Sequence, residues 1–420
     1  MKILLCSEVS ATRVIGGAER VLREQALGLR ERGYEVEIVA RGPAGDTRPA
    51  VHLGDAQVGH MTERRYPVNR EHELAFVLSS LLRSVDAFDA AFDGHRPDVA
   101  LIHQSLAGLG PILRRRRAVR SWIYMCLSLA HEEYLTRCTP GGTPLARSRW
   151  ILNAKVRRWT ERLVMRRCDR VVVLSEFMRR RVIDCHRVPE SKVHLVPGAA
   201  DMVQFHPPRN SREVRQELKL PFNKTVLFTV RNLVPRMGLD NLLQAIAALG
   251  EEERDLLLLI GGEGPLVPVL QRSILELGLT RRVQLLGFIP EDLLAKYYQA
   301  ADLVVMPTHQ LEGFGLVTVE ALACGTPVLG TPVGAIPEVL SGIDPALVTE
   351  GTDSHALARG IRHLLRRFRD QPGEKDRLAA RGRALIEREY TWRRHVESLD
   401  SILRDTCAMQ QARPPEGKGV

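Results

Sequence analysis

Short apolar runs of three to six residues, each followed by a segment of helical periodicity, recur along this chain and begin afresh once. The first set is Ile3 to Cys6, Val36 to Ala40, Val99 to Ile102, Trp122 to Cys126 and Val171 to Leu174. The second is Thr225 to Val230, Leu256 to Ile260, Val283 to Leu286, Leu303 to Met306 and Pro327 to Leu329. A strand buried on both faces needs such an uninterrupted run, and parallel neighbours need a helical crossover between them. The pattern therefore predicts an α/β chain with two doubly wound, Rossmann-like sheets. Pro and Gly cluster where the rhythm breaks, in Val196-Pro197-Gly198-Ala199-Ala200-Asp201 and Phe205-His206-Pro207-Pro208, which sets a hinge near 200–220. The expected division is an N-terminal domain over 1–205, a C-terminal domain over 206–400 and a tail over 401–420. The last segment, 411–420, has only Ala412 and Val420 as apolar residues and predicts disorder.

A chain of 420 residues is long enough for two or three domains with sizeable cores. Of its 60 basic residues 52 are arginine, so the net charge of +10 is carried by planar, permanently ionised groups suited to phosphate. That excess lies in one half: residues 1–200 hold 33 basic and 22 acidic residues, residues 201–420 hold 27 and 28. Leu152, Val156, Trp159 and Leu163 recur at helical spacing with Lys155, Arg158, Arg162 and Arg166 alongside. This predicts an amphipathic helix with a basic flank, whose apolar stripe either faces the core or lies on acidic lipid. With aromatic residues at only 5% and no stacking motif among the arginines, nucleic acid is excluded as the partner. Seven scattered cysteines without a C-x-x-C pair argue against a disulfide framework and a structural zinc site. The opening apolar run is too short for a signal peptide, and later runs fall well below the ~18 residues of a spanning helix. The expectation is a cytoplasmic protein, peripheral at the inner face of the membrane.

In open α/β sheets ligands bind beyond the carboxyl ends of strands. After Ile3–Cys6 a loop ends in Gly16-Gly17-Ala18-Glu19 and opens a helix with Val21, Leu22, Ala26 and Leu29 toward the sheet. Its Gly16–Gly17 start offers backbone N–H groups to an anion or simply makes a turn. After Thr225–Val230 stands Arg231-Asn232-Leu233-Val234-Pro235-Arg236-Met237-Gly238, whose two arginines are spaced to grip a diphosphate. After Leu303–Met306 comes the string from Pro307 to Pro327, containing Glu312-Gly313-Phe314-Gly315-Leu316 and Glu320. The helix start at Phe314, Gly315 and Leu316 presents N–H groups to a phosphate. Glu312 is placed to meet a sugar's hydroxyls or developing positive charge, and Glu320 to accept from a ribose.

Gly16 to Glu19, Arg231 to Gly238, Gly261-Gly262-Glu263-Gly264-Pro265, Leu286-Gly287-Phe288 and the Glu312 to Pro327 string, in this order, resemble the retaining nucleotide-sugar glycosyltransferases of family 4, with the GT-B fold. The resemblance spans most of residues 1–400. It implies two Rossmann-like domains facing a cleft, the N-terminal one for the acceptor and the C-terminal one for the donor. Arg231 and Arg236 would hold the donor diphosphate, Glu320 the ribose and Glu312 the sugar, with the base near Phe288 and Ile289. It further implies hexosyl transfer with anomeric retention, no cofactor beyond the nucleotide diphosphate sugar as co-substrate, and no metal. The chain has no Asp-x-Asp motif, which agrees. The acceptor would be lipid-linked or a growing polysaccharide.

Three positions depart from the family's usual form. Met237 stands where a lysine is common, leaving Arg236 to supply that charge, and Gly198-Ala199 replaces an Asn-Gly. Leu127 follows Trp122–Cys126 where many relatives carry a histidine. His131 from a displaced loop, or His103 after Val99–Ile102, are the candidates to replace it; otherwise the leaving phosphate takes the acceptor's proton. The same residues also fit a catalytically silent sugar-nucleotide-binding protein or a sugar-nucleotide epimerase.

Overall fold

The computed structural model describes residues 1–46, 48–53, 61–137 and 143–411, so the disorder expected of 411–420 falls, beyond Gln411, outside the described residues. Two units separate, one of Met1–His131, Ile151–Pro197 and the chain from Trp392 onward, the other of Glu132–Trp150 and Gly198–Thr391.

The first unit is built on eight strands: β1 (Lys2–Ser7), β2 (Glu35–Arg41), β3 (Ala50–Leu53), β4 (Met61–Tyr66), β5 (Val99–Ile102), β6 (Ser121–Cys126), β7 (Arg170–Val173) and β8 (Val193–Leu195). Their order is β3-β4-β2-β1-β5-β6-β7-β8, and every pair is parallel except β3 with β4. Alternation along each strand divides the core. Leu4, Cys6, Ala100, Ile102, Trp122 and Tyr124 pack on one face, Ile3, Leu5, Val99, Leu101, Ile123 and Met125 on the other. Helix Gly17–Glu31 buries Val21, Leu22, Ala26 and Leu29 as its periodicity requires.

β4 escapes an apolar-run reading because its sequence is Met-Thr-Glu-Arg-Arg-Tyr. Glu63 is nonetheless fully buried, accepting from Arg65 Nε at 2.8 Å, Ser10 Oγ at 2.6 Å and the Ala11 N–H at 2.7 Å. Paired in this way, the charges tolerate burial that would otherwise cost several kcal/mol.

The structure draws the domain boundaries differently from 205 and 400. The chain passes into the second unit at Pro197/Gly198, and Trp392–Gln411 forms one long helix that belongs to the first. The cause is an apolar stripe on that helix: Val396, Leu399 and Leu403 are buried in the same cluster as Ile3 and Leu5. Gly28 lies where the helix crosses, and a Cβ there would approach Val396 Cγ2 to 2.5 Å.

The second unit carries β9 (Thr225–Val230), β10 (Leu256–Gly261), β11 (Val283–Gly287), β12 (Leu303–Met306) and β13 (Val328–Gly330) in the order β11-β10-β9-β12-β13, all parallel. The chain winds outward from β9 in one direction and, after β11, returns to lay β12 on its other side. The crevice beyond the carboxyl ends of β9 and β12 is thus this sheet's switch point, the favoured ligand position in such sheets.

The amphipathic helix extends over Pro144–Arg167, and most of its stripe points away from the core: Leu152, Val156 and Trp159 are 59%, 52% and 62% exposed, while Leu163 packs against the core. Ala154, Glu161, Val164 and Met165 are buried instead. No helix among the described residues is long and apolar enough to cross a membrane.

Candidate active site

Arg231 leaves β9 at the switch point, its own N–H held by the Gly261 carbonyl at 3.0 Å. That approach needs glycine next door. At Gly262 φ is +117°, and a Cβ would fall 1.8 Å from the Arg231 carbonyl oxygen. The Arg231 side chain is buried, with Nη2 bonded to Glu312 Oε2, donating to Thr308 Oγ1 at 2.9 Å and resting 2.9 Å from Met237 Sδ. Nη1 lies 3.3 Å from Met306 Sδ. The two thioethers pack against the guanidinium without competing for its charge.

Arg236 enters from the loop after β9. Its Nη1 donates to the Leu311 carbonyl at 2.6 Å and its Nη2 to Glu133 Oε1 at 3.3 Å. Burial disfavours its charged form and lowers its pKa against the opposing pull of Glu133 and Glu312. The Nε atoms of Arg231 and Arg236 are both buried without a hydrogen-bond partner. An unsatisfied buried donor costs about 1–3 kcal/mol, so each guanidinium retains donor capacity that an anion would satisfy. Leu311, whose carbonyl Arg236 holds, has a left-handed φ of +55°, a strained state for a branched residue.

Beyond Glu312 the chain turns through Gly315, at φ +82°, into helix Leu316–Ala323. The first N–H groups of any helix lack intrahelical partners and carry its positive dipole end. Thr318 Oγ1, one turn in, is buried without a partner. Glu320 is also buried and accepts from the Tyr298 hydroxyl at 2.9 Å. Phe314 lies against Tyr390 with ring centroids 5.9 Å apart. Ile289 is buried beside Gly261, while its neighbour Phe288 is exposed. The second unit therefore gathers two arginines, a carboxylate and a helix start around the carboxyl ends of β9 and β12.

Residues 210–384 match the family described as Glycosyl transferases group 1, and residues 15–204 that described as Glycosyltransferase Family 4. A D-inositol 3-phosphate glycosyltransferase of Thermobispora bispora is 32% identical over 376 residues, covering 87% of this chain and 83% of that protein. The chain is a family 4 glycosyltransferase. A second D-inositol 3-phosphate glycosyltransferase, of Thermomonospora curvata, is 29% identical over 401 residues, with 91% of this chain and 89% of that protein covered. Among solved structures, sucrose-phosphate synthase of Thermosynechococcus elongatus superimposes with a TM-score of 0.78 at 20% identity, over 97% of this chain and 99% of that one. HepE of Anabaena, solved with UDP and glucose, gives 0.74 at 19% identity, over 96% and 100%. Both show the GT-B fold that the strand rhythm and motifs suggested.

The remaining predicted residues of this glycosyltransferase lie in its first unit. Gly16 caps helix Gly17–Glu31, and its N–H donates to Glu19 Oε2 at 3.1 Å. The anion at that helix start is thus the protein's own carboxylate, whose pKa burial raises. His131 is buried, its Nδ1 3.0 Å from Glu161 Oε2 and its ring edge-on to His186 at 5.3 Å. His103 is buried in a chain of tautomers. The Pro197 carbonyl accepts from His395 Nδ1 at 2.6 Å, so His395 Nε2 accepts from Gln25 at 2.8 Å, and Gln25 Oε1 accepts from His103 Nε2 at 2.7 Å. His103 Nδ1 is left as a buried acceptor without a partner.

Thr308, Met306, Glu133 and Tyr298 belong to the second unit's site and were not singled out from the sequence, and Met237, noted there only as standing in a lysine's place, packs against Arg231. Thr308 could have been found, because it stands just after β12 at a switch-point strand end. The thioethers and Glu133 carry no local signal: only the fold brings them to the arginines.

Proposed function

We propose that this glycosyltransferase moves a hexosyl group from a nucleotide diphosphate sugar to an acceptor hydroxyl, with retention at the anomeric carbon and without a metal ion at the diphosphate. The observation that carries the reading is the pair of buried guanidiniums, Arg231 and Arg236, each with an unpartnered Nε, beside the Gly315 helix start. Positive charge fixed in a dry site stabilises a departing diphosphate as a divalent cation would, with no reorganisation during reaction. The bond from the anomeric carbon to the diphosphate oxygen breaks with its electron pair on that oxygen. The acceptor oxygen bonds to the same face of the carbon, and its proton passes to the departing phosphate. Glu312 faces the sugar's developing positive charge while fixing the Arg231 fork, and Glu320, aimed by Tyr298, takes the ribose. The base lies along Phe288 and Ile289.

For the acceptor, the names of the relatives favour a phosphorylated polyol, D-inositol 3-phosphate being the first to try. The basic first half suits any anionic acceptor, including a lipid-linked one. The exposed Leu152, Val156 and Trp159, flanked by exposed Lys155 and Arg158, support peripheral attachment to acidic lipid. The test is incubation with a panel of nucleotide sugars, each with D-inositol 3-phosphate, with an undecaprenyl-phosphate-linked sugar, or alone. Glycosylated acceptor with stoichiometric nucleotide release is the expected result. An altered sugar without acceptor would indicate an epimerase, and no nucleotide release from any donor would mark a silent binding protein.

A further inference from the structure

Three segments of the first unit converge on a pocket of donors that the transfer reaction does not use. His131 lies near the start of helix Ala130–Arg137, Glu161 on helix Pro144–Arg167, and His186 at the end of helix Glu176–His186. Glu161 and His186 are fully buried and His131 nearly so.

A carboxylate on a buried helix face normally forms an ion pair or neutralises itself. Glu161 does neither fully. Oε1 accepts the Ala130 N–H at 2.7 Å, while Oε2 turns to two imidazoles, 3.0 Å from His131 Nδ1 and 3.6 Å from His186 Nε2. Neither ring nitrogen of His186 has a hydrogen-bond partner, although the residue is 0% exposed. Its ring nitrogens are thus orphaned at a place where native proteins almost always satisfy polar atoms.

Donor atoms from His131, Glu161 and His186 all lie within 4.8 Å of one another. A tetrahedral ion with bonds of about 2.0–2.1 Å separates its donors by roughly 3.3 Å, close to the two spacings around Glu161 Oε2. Two imidazoles and one carboxylate make a borderline donor set, suited to zinc more than to magnesium or calcium.

We propose that His131, Glu161 and His186 form a binding site for one zinc-class divalent transition ion, pinning the start of helix Ala130–Arg137 to the two other helices. The carboxylate offsets half of the ion's charge, water supplies a fourth donor, and His186 gains a partner. His131 then acts as a ligand, separate from the sugar-transfer chemistry. The site is independent of the donor-binding reading: failure of either leaves the other standing.

The test is titration of chelator-treated, full-length protein with zinc chloride, following bound metal by elemental analysis and unfolding by thermal shift. One tightly held equivalent per chain and a raised melting temperature are expected. His186→Phe keeps the ring packing and removes both nitrogens, and Glu161→Gln removes the charge; each should lower zinc affinity at least tenfold and abolish the thermal shift. Cys407→Ser, which alters a thiol outside the site, should leave both unchanged. Wild-type protein that takes up no stoichiometric zinc would overturn the proposal, whether or not the variants fold. So would uptake that persists undiminished in His186→Phe or Glu161→Gln, since the ion would then be held elsewhere.

Discussion

The two units bury polar side chains for opposite ends. In the second, Arg231 and Arg236 are charged, crowded and left with unspent N–H donors, an arrangement that awaits an anion. In the first, the buried clusters of His131, Glu161 and His186 and of His103 and His395 supply lone pairs, and within these clusters the unsatisfied atoms are ring nitrogens of His103 and His186. Donor-rich burial selects phosphate and acceptor-rich burial selects a cation or a proton. The same fold class thus supports two electrostatic characters, set by side chains at strand and helix ends.

The contrast breaks first at Arg231. Arg231→Ala or Glu312→Ala should lower kcat/KM by about 10²–10³-fold or more, as expected for groups opposing charge that develops in the transition state. Circular dichroism should be unchanged, and full turnover in both variants would remove the second unit's claim to the chemistry. A stability effect should dominate in the first unit. Leu399→Ala opens a hole in the cluster that the returning helix shares with Ile3 and Leu5 and should cost about 2–5 kcal/mol by urea unfolding. A loss below about 0.5 kcal/mol would mean the helix is not part of that core.

Acid should expose the proton-accepting character of the first unit. Burial, with a smaller push from His395, holds His103 down to about 3, and burial holds His395 to about 4 despite its bond to Pro197. An unfolded histidine takes a proton near 6.5. Between there and pH 4 the unfolded chain binds more protons than the native one, so stability is complete above pH 6.5 and falls as pH falls. The urea midpoint should therefore drop from pH 7.5 to 5.0, and His103→Gln should flatten that slope by up to about one proton. An identical slope in the variant would show that His103 titrates normally. The smallest expected effect is at the surface. Trp159→Ser should reduce co-sedimentation with phosphatidylserine-containing vesicles several-fold and leave neutral vesicles unaffected. Equal binding of wild-type protein to both vesicle types would rule out an acidic-lipid surface.

The features legible in sequence are those written locally. Each predicted strand appears, because a doubly buried strand is mostly apolar, and Glu37 and Gln284 interrupt two of the runs without hiding them. The Arg231–Arg236 and Glu312–Glu320 strings were readable because each is one loop with its helix. β4 was not, since Glu63 and Arg65 satisfy one another only when folded. The boundary at 400 was missed because helix Trp392–Gln411 declares its attachment through partners at Ile3, Leu5 and Gly28, nearly the whole chain away. The stripe Leu152, Val156 and Trp159 shows the converse: helical spacing identified a face without revealing which side meets the core. His131 and His186 lie 55 positions apart with no motif between them, so spacing rules built on cysteine pairs pass over their meeting.

The claim on which the functional account rests is that the two guanidiniums of the second unit hold the donor's diphosphate. Calorimetric titration of UDP, GDP and ADP into wild-type, Arg231→Ala and Arg236→Ala protein tests it most directly. At least one nucleotide should bind the wild type, and each substitution should weaken it about tenfold or more, the loss expected for a charge-assisted hydrogen bond of about 1.5–3 kcal/mol. Unchanged affinity in both variants would contradict the account.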